Sequence, residues 1–315
     1  MDSKAARLEE EAAEDQGGRG IAPLVVPGEL AAAANAARAA TSVALLTGYP
    51  CCVADPPTET DGPPGTLALA RALQSLGKKV AILTDDCNHA PIAAALAASN
   101  AAYPTGTPYP SGTAGIGTPL VRIELRAFPP GDVDADSVTK ELGIDHIIAV
   151  ERPGRSAAGV YCTMKGREMQ GIACLEQLLF TSDGSRRGGV SSTGVGDGGN
   201  ELGMGKRIDQ VREHIPLGET IGSIIATDNL VVAGVSNWGG YALALTILLD
   251  PTKGEGAAAE IGALLSVEGE KAVLDALVQG GARDGITSLA EATVDGISWE
   301  DHARKIQALI SLAAN

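Results

Sequence analysis

Aromatic residues are scarce: the 315-residue chain holds two Trp, five Tyr and two Phe. So few rings argue against a stacking platform for single-stranded nucleic acid, and they leave Ala, Val, Ile and Leu to build the core. Basic residues are also in deficit, with 24 Lys and Arg against 39 Asp and Glu, a net charge of −15. That sign disfavours binding to a phosphate backbone. It leaves room for a small anionic substrate, because a local site can oppose the global field. No apolar run reaches the ~18 residues of a membrane span, and the acidic residues 1–15 lack the basic start and apolar stretch of a secretory signal. The five cysteines, Cys51, Cys52, Cys87, Cys162 and Cys174, form no CxxC pair and no even framework, which points to a reducing compartment. The expectation is a cytosolic or mitochondrial-matrix protein, not secreted, with no nucleic-acid and no membrane partner.

Glycine is plentiful: there are 40 Gly, beside 17 Pro, and the 44 % apolar and 20 % charged shares are those of a globular chain. Residues 1–20 read as a flexible polar leader and 21–315 as a single α/β domain. Apolar, β-branched runs at 42–47 (SVALLT), 79–84 (KVAILT), 120–126 (LVRIELR), 146–151 (HIIAVE), 189–193, 221–226 and 230–235 read as strands. Helical patterns fall between and after them, at 31–40, 66–76, 91–98, 136–142, 171–180, 241–249 and 268–278. Residues 103–119 (YPTGTPYPSGTAGIGTP) read as a long surface loop. The alternation predicts an α/β fold, a mainly parallel Rossmann-like sheet with helices on both faces, followed by a C-terminal helical section from about residue 251. In such sheets the site lies where strands end.

Five loops after strands carry the unusual residues. In the first, Glu59, Thr60, Asp61 and Gly62 stand in a proline-glycine frame, and alternation along an extended segment would put both carboxylates on one side. Such a pair suits a hard metal ion or acid-base work; a turn with a helix cap is the alternative. In the second, Asp85 ends a strand, where it suits a ribose, a metal or a substrate amine, while Asp86 or Asn88 suits a helix cap. In the third, Glu151, Arg152 and Arg155 surround Pro-Gly, which suits bidentate recognition of a carboxylate or, equally, an internal ion pair. The fourth, GVGDGGNELGMGK at 194–206, has six glycines in thirteen positions around Asp197, Asn200 and Glu201. That much glycine lets backbone approach a ligand closely. In the fifth, Ser236 or Asn237 would cap the following apolar helix, with Trp238 beside them.

Common motifs fail on inspection. GMGK at 203–206 lacks the spacing and the Ser/Thr of a phosphate loop. The dinucleotide pattern at 194–199 lacks its acidic partner at a strand end, so no nucleotide cofactor is expected. There is no G-x-S-x-G elbow, and His89, His146, His214 and His302 have no zinc spacing.

Taken together, TGYP at 47–50, ETDGPPG at 59–65, TDD at 84–86, ERPGR at 151–155, GVGDGGNELGMGK at 194–206 and VAGVSNWGGYALA at 232–244 resemble the C-terminal catalytic region of the D-glutamate cyclase family, in its order and over roughly residues 45–250. In animals the family joins this region to a second, N-terminal domain. About forty residues precede the first motif here, so that domain is expected to be absent. The resemblance implies a lyase that closes D-glutamate to 5-oxo-D-proline with loss of water. The alternatives are a non-catalytic amino-acid or nucleotide sensor, and a cyclase or hydrolase acting on another small carboxylate.

The implied chemistry needs a base for the amine, polarisation of the γ-carboxyl group, a folded substrate and an anchor for the α-carboxylate. The expected catalytic residues are Asp61, Glu151, Asp197 and Glu201, with Glu201 or Glu151 as base. Arg155, with Arg152, is expected to anchor a carboxylate. Thr60, Gly62, Asp85, Asn200, Ser236 and Asn237 complete the expected substrate site. Glu59, Asp61 and Asp197 are the expected ligands if a divalent ion, Mg or Mn, takes part. A small amino acid is the expected partner, and a homo-oligomer is compatible with the sequence.

Overall fold

The computed structural model describes residues 3–104, 123–249 and 257–315. Six strands form one all-parallel sheet: β1 (Ser42–Thr47), β2 (Lys79–Asp85), β3 (Glu124–Phe128), β4 (His146–Val150), β5 (Ser191–Gly196) and β6 (Asn229–Val232). Their order is β3-β2-β1-β4-β5-β6, that of a doubly wound sheet whose winding reverses between β1 and β4. The helices are α1 (Ser3–Ala12), α2 (Glu29–Ala39), α3 (Pro63–Ser75), α4 (His89–Ala102), α5 (Ala135–Leu142), α6 (Ile208–His214), α7 (Gly218–Ile221), α8 (Ser236–Leu248), α9 (Ala257–Leu264), α10 (Val267–Gln279) and α11 (Trp299–Ala314).

Strands β1 and β4 are buried on both faces, as parallel strands under helical layers must be. Val43 and Leu45 face a core shared with α2, α3, α8, α10 and α11, while Ala44 and Leu46 face a smaller core with Val138 of α5 and Leu175 and Leu178. Small residues let helices α3 and α8 touch: a Cβ on Gly240 would lie 2.8 Å from the Gly65 Cα. Two of the nine aromatics, Trp238 and Tyr241, are fully buried in α8.

The parallel sheet and the helical C-terminus follow the sequence expectation, and several elements differ. Residues 3–12, expected within a flexible leader, form α1, and Leu8 is fully buried. The segment 221–226 is not a strand: it meets the 156 and 203–204 segments through isolated bridges instead of joining the sheet. The expected helix at 171–180 is reduced to one 3-10 stretch, Leu175–Leu179, after Gly171 turns the chain at φ 81°. β5 runs on through the first glycines of the fourth loop, because the chain at 202–203 folds back over it. A Cβ on Gly194 would lie 2.6 Å from the Leu202 carbonyl oxygen. Most of the expected loop at 103–119, and the start of the strand at 120–126, lie outside the described residues.

Candidate active site

The strand register brings the site together. Thr47 pairs with Val150, and Val150 with Val195, so the loops after β1, β4 and β5 leave the sheet side by side at the switch point. That is where open α/β sheets bind ligands. Asp61 follows β1, Glu151 follows β4 and Asp197 follows β5. All three are buried, with ligand-capable oxygens within 4.8 Å of one another.

The N-terminus of α8 holds this cluster. Asp61 accepts hydrogen bonds from the backbone N–H groups of Gly62 (2.9 Å), Asn237 (2.7 Å) and Ser236 (2.9 Å). Ser236 N–H is shared with Asp197 Oδ2 at 3.0 Å, and the Ser236 hydroxyl donates to Glu151 Oε2 at 2.6 Å. First-turn N–H groups have no helical acceptor, and the helix dipole favours negative charge there. Burial nonetheless raises the Asp61 carboxyl well above the ordinary range, helped by Asp295 and Asp197. Burial, then the charges of Asp197 and Glu201, does the same to Glu151. Asp197 is raised by burial and pulled back by Arg19. Several proton-binding groups thus share a small volume.

Two residues from the ends of the chain complete the cluster. Arg19 pairs with Asp197 through Nη1, and its Nη2 lies 2.9 Å from Asp295 Oδ2. The second contact is an ion pair without hydrogen-bond alignment. Asp15 aims the arm by accepting the Arg19 and Gly20 N–H groups at 2.9 and 2.7 Å. Asp295 is pushed up to about 7, first by burial, against the pull of Arg19. Both residues line a cavity of about 180 Å³, with Glu59, Glu151, Asp197 and Asn200. That is well below the roughly 300–1,000 Å³ typical of drug-sized ligands. Among the described residues, four non-glycine residues have positive φ, and three of them, Glu151 (43°), Ser288 (61°) and Asp295 (55°), line this cavity. Strain of this kind collects at functional sites.

Several expected site residues have other work. Arg152 lies buried in a bidentate pair with Asp85 at 2.6 and 2.8 Å, and Asp85 also accepts from Asn88 and from the Ala173 N–H. Arg155 pairs with Glu176 at 2.6 Å. None of Asp85, Arg152 and Arg155 lines the cavity, so the internal ion pair is the reading that fits the two arginines, and they are not its carboxylate anchor. Asn237 accepts from the N–H groups of Gly62 and Gly65 at 3.0 and 2.9 Å and so caps α3 from a neighbouring helix. Thr60 ties this loop to the C-terminal section, donating to the Thr293 carbonyl at 2.8 Å. Gly62 has φ 96°, and a Cβ there would lie 2.7 Å from the Glu151 Cβ.

Glu201 faces the cavity, but its oxygens accept the N–H groups of Asp197 (2.8 Å), Gly198 and Gly199 (2.6 Å). It folds the glycine loop. Asn200 donates to the Tyr49 hydroxyl and, at 2.7 Å, to the Cys162 carbonyl. Glu59, expected beside Asp61 as a metal ligand, is outside the three-carboxylate group and meets the Cys51 thiol at 3.3 Å; Glu151 takes its place. Arg19, Asp295 and the cavity-lining Thr163, Lys165 and Arg167 carried no sequence signal beyond the glycines around Arg19 and the Asp-Gly turn at 295–296.

A doubly wound sheet with clustered, buried carboxylates beside a small cavity at its switch point defines an α/β protein with a candidate polar-ligand site. The chain belongs to the D-glutamate cyclase-like family: a family described as "D-glutamate cyclase-like, C-terminal" matches residues 8–310. It is similar to the D-glutamate cyclase, mitochondrial, of Homo sapiens, with 35 % identity over 324 aligned positions, 95 % of this chain and 50 % of that protein. The chain therefore spans about half the length of this curated relative. Among the described residues, no helix is long and apolar enough to cross a membrane.

Proposed function

We propose that this protein closes D-glutamate to 5-oxo-D-proline. Its family membership supports the reaction class. The observation that carries the reading is the trio Asp61, Glu151 and Asp197, buried together with their oxygens within 4.8 Å. In the closure, the ammonium nitrogen gives up two protons and bonds to the carbon of the γ-carboxyl group. One γ-carboxylate oxygen leaves with both protons as water. The enzyme begins and ends in the same protonation state, so it needs a shuttle rather than a nucleophile. Carboxyl groups that bind protons more tightly than usual and lie beside one another suit that task.

Glu151, steadied by the Ser236 hydroxyl, is the proposed proton carrier, with Asp61 and Asp197 sharing the proton it moves. Arg19 and the first turn of α8 keep the cluster from becoming wholly neutral. The hard oxygens of Asp61, Glu151 and Asp197 also fit a divalent ion such as Mg or Mn, which would supply Lewis-acid polarisation of the γ-carboxyl group. The human relative is a mitochondrial protein, which supports a mitochondrial location as part of this proposal.

The test is turnover. Purified protein is incubated with D-glutamate or L-glutamate, and 5-oxoproline is followed by chiral chromatography, with and without a chelator. Formation of 5-oxo-D-proline from the D-form is expected. Binding without conversion would replace the cyclase reading with that of a sensor.

A further inference from the structure

The cavity has opposite charges at its floor and its mouth. The floor holds Glu151, Asp197 and Asp295, with Asp61 beside the first two, and the one cation there, Arg19, is paired with Asp197 and Asp295. The other cations that line the cavity, among the described residues, are Lys165 and Arg167, both exposed. They sit on a tight turn. Thr163 N–H donates to the Arg167 carbonyl at 2.9 Å, Gly166 N–H to the Thr163 carbonyl at 2.9 Å, and Arg167 N–H to the Thr163 hydroxyl at 3.2 Å. Met164 of this turn packs over the glycine loop, where a Cβ on Gly198 would lie 2.7 Å from its sulfur. Arg167 Nη2 is also fixed to the Cys51 carbonyl across the mouth. The turn is thus tied to the cavity, with Arg167 fixed across the mouth and Lys165 exposed beside it.

A substrate that forms a lactam from its own amine and side-chain carboxyl must bring those two groups to the acidic floor. Its α-carboxylate takes no part in bond making and keeps a full negative charge. The acidic floor repels it, and bidentate or paired cations are its natural receivers.

We propose that Lys165 and Arg167 form the subsite that receives the α-carboxylate at the cavity mouth and sets the preference for an α-amino acid over a simple amine. This rests on the cyclase reading above. It places substrate recognition on a turn outside every motif that marks the family resemblance.

The experiment compares wild type with Lys165→Ala, Arg167→Ala and the double variant on two substrates, D-glutamate and 4-aminobutanoate. The second is D-glutamate without its α-carboxylate and closes to a five-membered lactam by the same bonds. Each single substitution is expected to raise KM for D-glutamate by about tenfold with kcat nearly unchanged. The double variant should lose most of the wild-type preference for D-glutamate over 4-aminobutanoate, and Arg167→Lys should recover part of it. An unchanged KM and an unchanged preference would overturn the subsite while leaving the cyclase reading intact. If wild type converts no D-glutamate, the cyclase reading fails and calorimetric titration with 5-oxo-D-proline decides the subsite alone. Weaker binding by the double variant supports it; equal binding, or none by wild type, overturns it.

Discussion

Arg19 and Asp295, from opposite ends of the chain, meet at 2.9 Å over the carboxylate cluster. The N-terminal arm and the segment between α10 and α11 therefore close the site that the strand loops begin. Arg19 opposes several buried acids at once, since Asp197, Asp295, Glu151 and Asp61 all raise its affinity for its proton. Removing one member of a buried ion pair leaves the others uncompensated.

Arg19→Gln is expected to destabilise the fold on the order of 3 kcal/mol. Without the guanidinium the carboxyl groups bind protons still more tightly in the native state than in the unfolded chain. Stability of the variant relative to wild type must then fall as pH rises. Thermal unfolding at pH 5 and pH 8 checks this: the deficit should be larger at pH 8. An equal deficit at both would mean that Arg19 acts by packing alone.

Gly62→Ala tests the fit between the first and third loops. The new methyl would lie 2.7 Å from the Glu151 Cβ, at a φ of 96° that L-residues rarely adopt. Strain and overpacking together should cost roughly 2–5 kcal/mol and displace Glu151. The expected result is a lowered Tm and turnover too slow to measure. Gly77→Ala, which has positive φ but open space around it, should lose stability alone.

Much of the fold was legible because parallel strands buried on both faces need continuous runs of Val, Ile and Leu, as at 42–47 and 146–150. Asp61, Glu151 and Asp197 were legible for a related reason: each follows a strand, and Asp61 and Asp197 adjoin glycine while Glu151 stands before Arg-Pro-Gly. The roles of Arg152 and Asp85 were not. Asp85 ends one strand and Arg152 follows another, each looks free, and only the packing beyond the sheet joins them at 2.6 Å. Arg19 and Asp295 were hidden because turn chemistry at 17–20 and 295–296 describes a bend, not its destination. The strand 191–196 was blurred by glycines whose need arises from chain crossing over it.

His302 provides a pH handle away from the site. Trp238 Nε1–H donates to its Nδ1 at 2.9 Å, so the ring is neutral, and burial pushes its pKa down to about 3. The unfolded chain takes up this proton near pH 6.5. Stability contributed by neutral His302 is present above that value and is lost as pH falls toward 3. His302→Gln keeps an acceptor but cannot titrate. Denaturant midpoints across pH 3.5–7 should fall less steeply in the variant. His146, pushed down to about 4 by burial, will keep part of the slope. Parallel curves would show that His302 does not titrate in this window.

Glu151 and Glu201 can be separated by one isosteric change at each. Glutamine at 151 retains an oxygen for the Ser236 hydroxyl, which now donates at 2.6 Å, but it can no longer carry a proton. Glu151→Gln should keep its Tm and lose about 10²–10⁴ in kcat. Glutamine at 201 keeps one oxygen, which can still accept from Asp197 and Gly198, but it sets an NH2 group against the remaining N–H donor of the glycine loop, that of Gly199. A buried donor left facing donors costs about 1–3 kcal/mol. Glu201→Gln should therefore lose Tm together with activity, because the loop that places Asp197 moves. If Glu201→Gln keeps its Tm while losing turnover, the proton carrier is Glu201. If Glu151→Gln keeps full turnover, the shuttle assigned to Glu151 is wrong whatever Glu201 does.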